Sequence, residues 1–125
     1  MTDEVQLVMP ADPEFLRLAR VTAMGLASRL SFTIDEIDDL RIAIDELIFG
    51  LIGTNGRDGK VVMTYRLQAN GLEVEGTGQF SDASSGGSSP GLSEFSQLIL
   101  DAVADEHELE TSEDGPRFRL VKRRS

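Results

Sequence analysis

The chain has 125 residues, 40% of them hydrophobic, which suits one folded core and a single domain over 1–125. A net charge of −10, with Lys122-Arg123-Arg124 as the only basic cluster, excludes direct nucleic-acid binding as the primary role. Cysteine is absent, so disulfides, thiolate metal sites and cysteine nucleophiles are excluded, and no apolar run approaches the length that spans a bilayer. The first ten residues, MTDEVQLVMP, lack a signal peptide's basic start and apolar centre, so a cytoplasmic protein is the simplest expectation.

Residues 4–9 (EVQLVM) read as a short strand ended by Pro10. Asp12-Pro13-Glu14 is a helix start: an N-cap, a proline at the first helical position and an acid on the dipole's positive end. The helix runs to about Leu30 with Phe15, Leu16, Ala19, Ala23, Leu26, Ala27 and Leu30 on one stripe. Arg17, Arg20, Val21, Met24 and Ser28 lie opposite. Thr33-Ile-Asp-Glu36 is a capping box, and Phe32 with Ile37 supplies a hydrophobic staple. The second helix continues to about Ile52, with Leu40, Ala43, Ile44, Leu47, Ile48 and Leu51 as its core stripe. Residues 53–59 form a loop.

A strand over 61–68 follows. Asn70-Gly71 predicts a hairpin turn, and Leu72 opens the return strand; polar residues alternate with apolar ones, giving one wet face and one buried face. Residues 81–91, essentially SDASSGGSSPG, read as a flexible lid-like loop. Ser93 caps a third helix with Phe95, Leu98, Ile99, Ala102 and Val103 expected inward. The tail HELETSEDGPRFRLVKR reads as two strands. The predicted fold class is α+β: a two-layer sandwich, its sheet mixed but mostly antiparallel, with the helices packed on one face.

Chemistry has several candidate places. On the second helix Asp39, Glu46 and Gly50 fall within about 40° of one another, at the border of the core stripe. Glu46 there suits a general base, or it is one carboxylate of an ordinary solvated face with Asp38, Asp39, Arg41 and Asp45. The segment 86–93 matches G-x-x-x-x-G-x-S but carries Leu92 where a phosphate-binding loop has lysine, so it reads as a polar loop. His107 stands among glutamates without other nitrogen or sulfur ligands and reads as a solvent-facing strand residue, so no metal site is expected. The back of the first helix, with Arg17, Arg20, Val21 and Met24, is either a binding surface or a solvated face with incidental apolar residues; Arg and Met favour interfaces.

The segments EFLRLARVTAMGLASRLSFTIDEIDDLRIAIDEL and LILDAVADEHELETSEDGPRFRLVKR resemble the RsbW-type anti-sigma factors. These are small serine kinases built on the ATPase fold of histidine kinases, gyrase and Hsp90. The likeness spans nearly the whole chain and is strongest to the divergent actinobacterial branch, which includes the mycobacterial regulator of sigma F. The resemblance implies a homodimer that holds an alternative sigma factor inactive and is drawn off it by a STAS-type anti-anti-sigma protein. Kinase members phosphorylate that antagonist with ATP.

Carried over position by position, the family's nucleotide motifs are incomplete. Glu46 matches the family's general base, but the Mg²⁺-binding Asn four residues on is Gly50, which offers no oxygen. In the Asp-x-Gly-x-Gly box Gly76 stands for the adenine-reading Asp, Gly78 matches the first glycine, and Phe80 replaces the second. The last glycine-rich box falls on Glu94-Phe95-Ser96. The expectation is therefore an anti-sigma factor with no cofactor and a vestigial nucleotide site at Glu46 and Gly78. It would bind its sigma factor through Arg17, Arg20, Val21 and Met24. The alternative is a working kinase that uses ATP, Mg²⁺ and Glu46.

Overall fold

The computed structural model describes residues 3–81, 92–112 and 115–124. The expected loop at 81–91, apart from Ser81, and the expected turn residues Glu113 and Asp114 lie outside them. Strand β1 (Asp3–Pro10) leads through a 3₁₀ turn (Pro13–Phe15) into α1 (Leu16–Arg29) and α2 (Ile34–Ile52). The hairpin β2 (Gly59–Gln68) and β3 (Gly71–Phe80) follows, then α3 (Glu94–Val103) and the pair β4 (Glu106–Ser112) and β5 (Gly115–Arg123). The strands form one sheet in the order β1-β2-β3-β5-β4, and every neighbouring pair is antiparallel rather than mixed.

Local signals in the sequence fix the helix starts. Asp12 accepts a hydrogen bond from the Glu14 amide at 2.9 Å. At α2 the Thr33 hydroxyl accepts from the Glu36 amide at 3.1 Å while the Glu36 carboxylate accepts from the Thr33 amide at 2.8 Å. This reciprocal cap satisfies two donors that a helix start otherwise leaves open. The β2–β3 turn is displaced by one residue from expectation: Gln68 pairs with Gly71, so Ala69 and Asn70 form the two-residue loop.

The core lies between the helices and one sheet face. From α2 it takes Leu40, Ala43, Ile44, Leu47, Ile48 and Leu51; from the sheet Met9, Val61, Met63, Tyr65, Leu72, Val74, Phe118 and Leu120. Burying each large aliphatic or aromatic side chain stabilises by about 1.5–3 kcal/mol. The Tyr65 hydroxyl, buried under α1, donates to the Ala19 carbonyl at 2.9 Å, pinning α1 to β2. Burial pushes its pKa well above the usual phenol value.

The opposite sheet face is wet and ionic, with charge alternating strand by strand. Glu4 on β1 pairs with Arg66 on β2. Arg66 pairs with Glu73 and Glu75 on β3. Those carboxylates meet Arg119 at 2.6 Å and Arg117 at 3.1 Å on β5, which reach Glu106 and Glu110 on β4. Burial raises the Glu75 carboxyl, but hydrogen bonds from Arg66 and Arg117 outweigh it and hold the group below its ordinary value of 4.5. A carboxylate whose folded pKa is depressed stabilises the fold above its unfolded value, and that stability is lost as pH falls through the folded one. Urea midpoints should therefore drop as pH falls below 4.5, and Glu75→Gln should flatten this acid limb while lowering the midpoint at neutral pH. An unchanged acid limb would show that the network adds nothing.

Candidate functional site

The site flank of α2 runs from Asp39 through Glu46 to Gly50. Asp39 is tied to β5, where Lys122 donates to it at 3.3 Å. Glu46 is half-buried and makes no hydrogen bond or ion pair among the described residues. Asp45, its neighbour, faces away from Glu46's flank and meets Arg20 of α1 at 2.8 Å. The two atoms face each other closely without hydrogen-bond alignment, and neither makes another hydrogen bond among the described residues. Burial raises the Asp45 carboxyl, with Arg20 acting against it.

The strand β3 runs unbroken through the glycine-rich box. Gly76 pairs directly with Phe118 of β5, and both are buried. A Cβ placed on Gly76 would lie 2.6 Å from Phe118 Cζ, far inside van der Waals contact. The ring thus fills the volume a side chain at 76 would need. Two residues on, the Phe80 ring lies over Gly78 and blocks a Cβ there too. The Arg57 guanidinium caps the outer side of that ring, 4.3 Å from its centroid, in a cation–π contact. Two glycines therefore serve as seats for two aromatic rings on the core face of β3. Phe80 was visible in the sequence as the replacement of a glycine, but Phe118 was not legible as a site feature, because it meets Gly76 only across a strand pair.

The start of α3 has Glu94 and Ser96 where the resemblance expects the two glycines. Ser93 caps it, accepting from the Ser96 amide at 3.0 Å. The phase of α3 corrects the expectation. Leu100, not in the expected stripe, is its buried residue; Phe95, Leu98 and Ala102, expected inward, are exposed. Ile99 and Val103 are half-buried, as a boundary position allows. His107 is likewise not solvent-facing: it sits on β4 under α3, 2.7 Å from Asp101. Among the described residues no group of three His, Asp or Glu side chains converges as a metal-binding cluster.

The back of α1 carries the expected partner residues in two different settings. Arg17, Val21 and Met24 are exposed, Val21 at 59%. Leu18, which helical spacing places beside Val21, joins them at 47% and was missed because one exposed leucine in a helix gives no signal alone. Arg20 is half-buried and engaged with Asp45, so it bridges α1 and α2.

Five antiparallel strands under three helices, with the candidate site between α2, β3 and α3, define a two-layer α+β sandwich of the ATPase-like kind. No family model matches the chain. It is similar to several proteins named serine-protein kinase RsbW. Identity is 43% over 75 residues with that of Bacillus velezensis, covering 58% of this chain and 47% of the relative. It is 35% over 77 residues with that of Listeria innocua, covering 59% and 49%, and 33% over 75 residues with that of Bacillus subtilis, covering 58% and 47%. The chain spans about half the length of the curated relatives it matches. No helix among the described residues is long and apolar enough to cross a membrane.

Proposed function

We propose that the chain is an RsbW-like anti-sigma factor of the divergent branch, which binds an alternative sigma factor as a homodimer and is released by a STAS-type partner without needing ATP. Similarity to the RsbW serine-protein kinases supports the scaffold. The observation that carries the loss of nucleotide dependence is the Phe118 ring lodged against Gly76. The residues at the expected positions do not fit Mg-ATP. Gly50 has no oxygen for a hard cation, the adenine-reading carboxylate is replaced by a glycine under an aromatic ring, and Glu94 would repel phosphate. Each lost charge-assisted contact costs about 1.5–3 kcal/mol, so two or three shift a micromolar site toward millimolar.

A second reading, a serine kinase, draws on the names of the relatives and on Glu46, a half-buried carboxylate with no described partner. Calorimetric titration with Mg-ATP separates the two. Binding weaker than about 1 mM is expected; binding tighter than about 100 μM that disappears in Glu46→Ala would establish the kinase reading. Pull-down from the native host completes the test. A sigma factor captured without nucleotide supports the proposal, and recovery of neither a sigma factor nor a STAS protein overturns it.

A further inference from the structure

At 100° per residue the apolar residues of α3 cover an arc of about 200°, from Leu98 through Ala102, Phe95, Ile99 and Val103 to Leu100. A helix buried on one side needs roughly half of that. Only the Leu100 end of the arc enters the core, and the other end remains in solvent, Phe95 at 72% and Leu98 at 66% exposure. Exposed Glu94 and Asp101 border this free edge, whereas Asp105, just past the helix end, accepts the Arg123 amide of β5 at 2.6 Å. Glu94 has no ion pair among the described residues, and Asp101 meets only His107. On the open sheet face, by contrast, Glu73, Glu75, Glu106 and Glu110 are matched by arginines. Among the described residues, exposed carboxylates without a lysine or arginine partner thus lie beside exposed apolar surface.

We infer that the outer face of α3 is a docking surface for a cationic amphipathic helix of a partner protein. Phe95, Leu98 and Ala102 would take its apolar stripe, and Glu94 and Asp101 would pair with its flanking lysines or arginines. The face on α1 is of the opposite character, since Leu18, Val21 and Met24 are accompanied there by exposed Arg17. The inference rests on the proposed loss of nucleotide binding in one respect: phosphates at the start of α3 would compete for the same ground.

The test is fluorescence anisotropy with a labelled helical peptide of about 18 residues, leucines on one face and lysines on the other. Micromolar binding is expected, weakened about tenfold by Phe95→Ser with Leu98→Ser and by Glu94→Lys, and unchanged by Val21→Ser on α1. Circular dichroism should show each variant folded. Three results would overturn the inference: no binding, binding indifferent to the α3 substitutions, or equal binding of a peptide with glutamine for lysine. Sedimentation equilibrium adds a fourth, since a dimer that Phe95→Ser dissociates would assign the face to a second copy of the chain. None of these outcomes involves nucleotide, so the inference and the Mg-ATP reading fall separately.

Discussion

Gly76→Ala and Phe118→Ala, each destabilising alone, are expected to be strongly non-additive together. A methyl group at 76 must share space with the Phe118 ring, whose Cζ would lie 2.6 Å away, and both positions are buried in the middle of paired strands. Overpacking of this kind costs about 1–3 kcal/mol. Removing the ring alone costs about 3–5 kcal/mol through lost burial and the cavity left behind. In the double variant the methyl group enters space that the ring has left, so its cost should vanish and the pair should be no less stable than Phe118→Ala. Gly76→Asp is the severe form: the clash is joined by a buried carboxylate without a partner, and a loss above about 4 kcal/mol, or failure to fold, is expected. Urea unfolding of the four proteins of the alanine cycle decides the matter. Additive effects would mean that the ring does not occupy the side-chain volume at 76, and the physical case against adenine binding would lose its main support.

The cycle also shows why the scaffold was readable from sequence and the site only partly so. The capping box at Thr33, the core stripe of α2 and the alternation in β2 are local patterns, each set by helix or strand geometry within a few residues. Gly50 was informative for the same reason, since a missing side chain needs no tertiary context. The apposition of Gly76 and Phe118 joins residues 42 positions apart and depends on the register between β3 and β5, which no local pattern encodes. The phase of α3 failed for a different cause. An apolar arc of about 200° does not say which of its edges faces the core, and the larger residues, Phe95 and Leu98, lie on the free one. Arg20 was grouped with the exposed face of α1, but at 100° per residue it lies about 20° from buried Ala27, at the edge of the core stripe, where the half-buried Asp45 carboxylate of α2 meets it.

That difference between Arg20 and its neighbours determines how the α1 surface must be tested. Val21→Asp and Met24→Asp are expected to lower affinity for the cognate sigma factor by about a hundredfold or more, with folding stability changed by no more than about 0.5 kcal/mol. Both side chains project from the exposed face of α1, and neither makes an ion pair or hydrogen bond among the described residues. Their loss therefore leaves the core intact while placing a desolvated carboxylate at the centre of the proposed contact. Leu18→Asp should behave alike, although it was not expected from sequence. Arg20→Ala should weaken binding and stability together, because it strands Asp45 against α1 without its counter-charge. Surface plasmon resonance beside urea unfolding for the four variants distinguishes the cases. Full sigma-factor affinity in Val21→Asp and Met24→Asp would remove α1 from the interface. Loss confined to Arg20→Ala would trace the effect to the α1–α2 packing rather than to a contact with the partner.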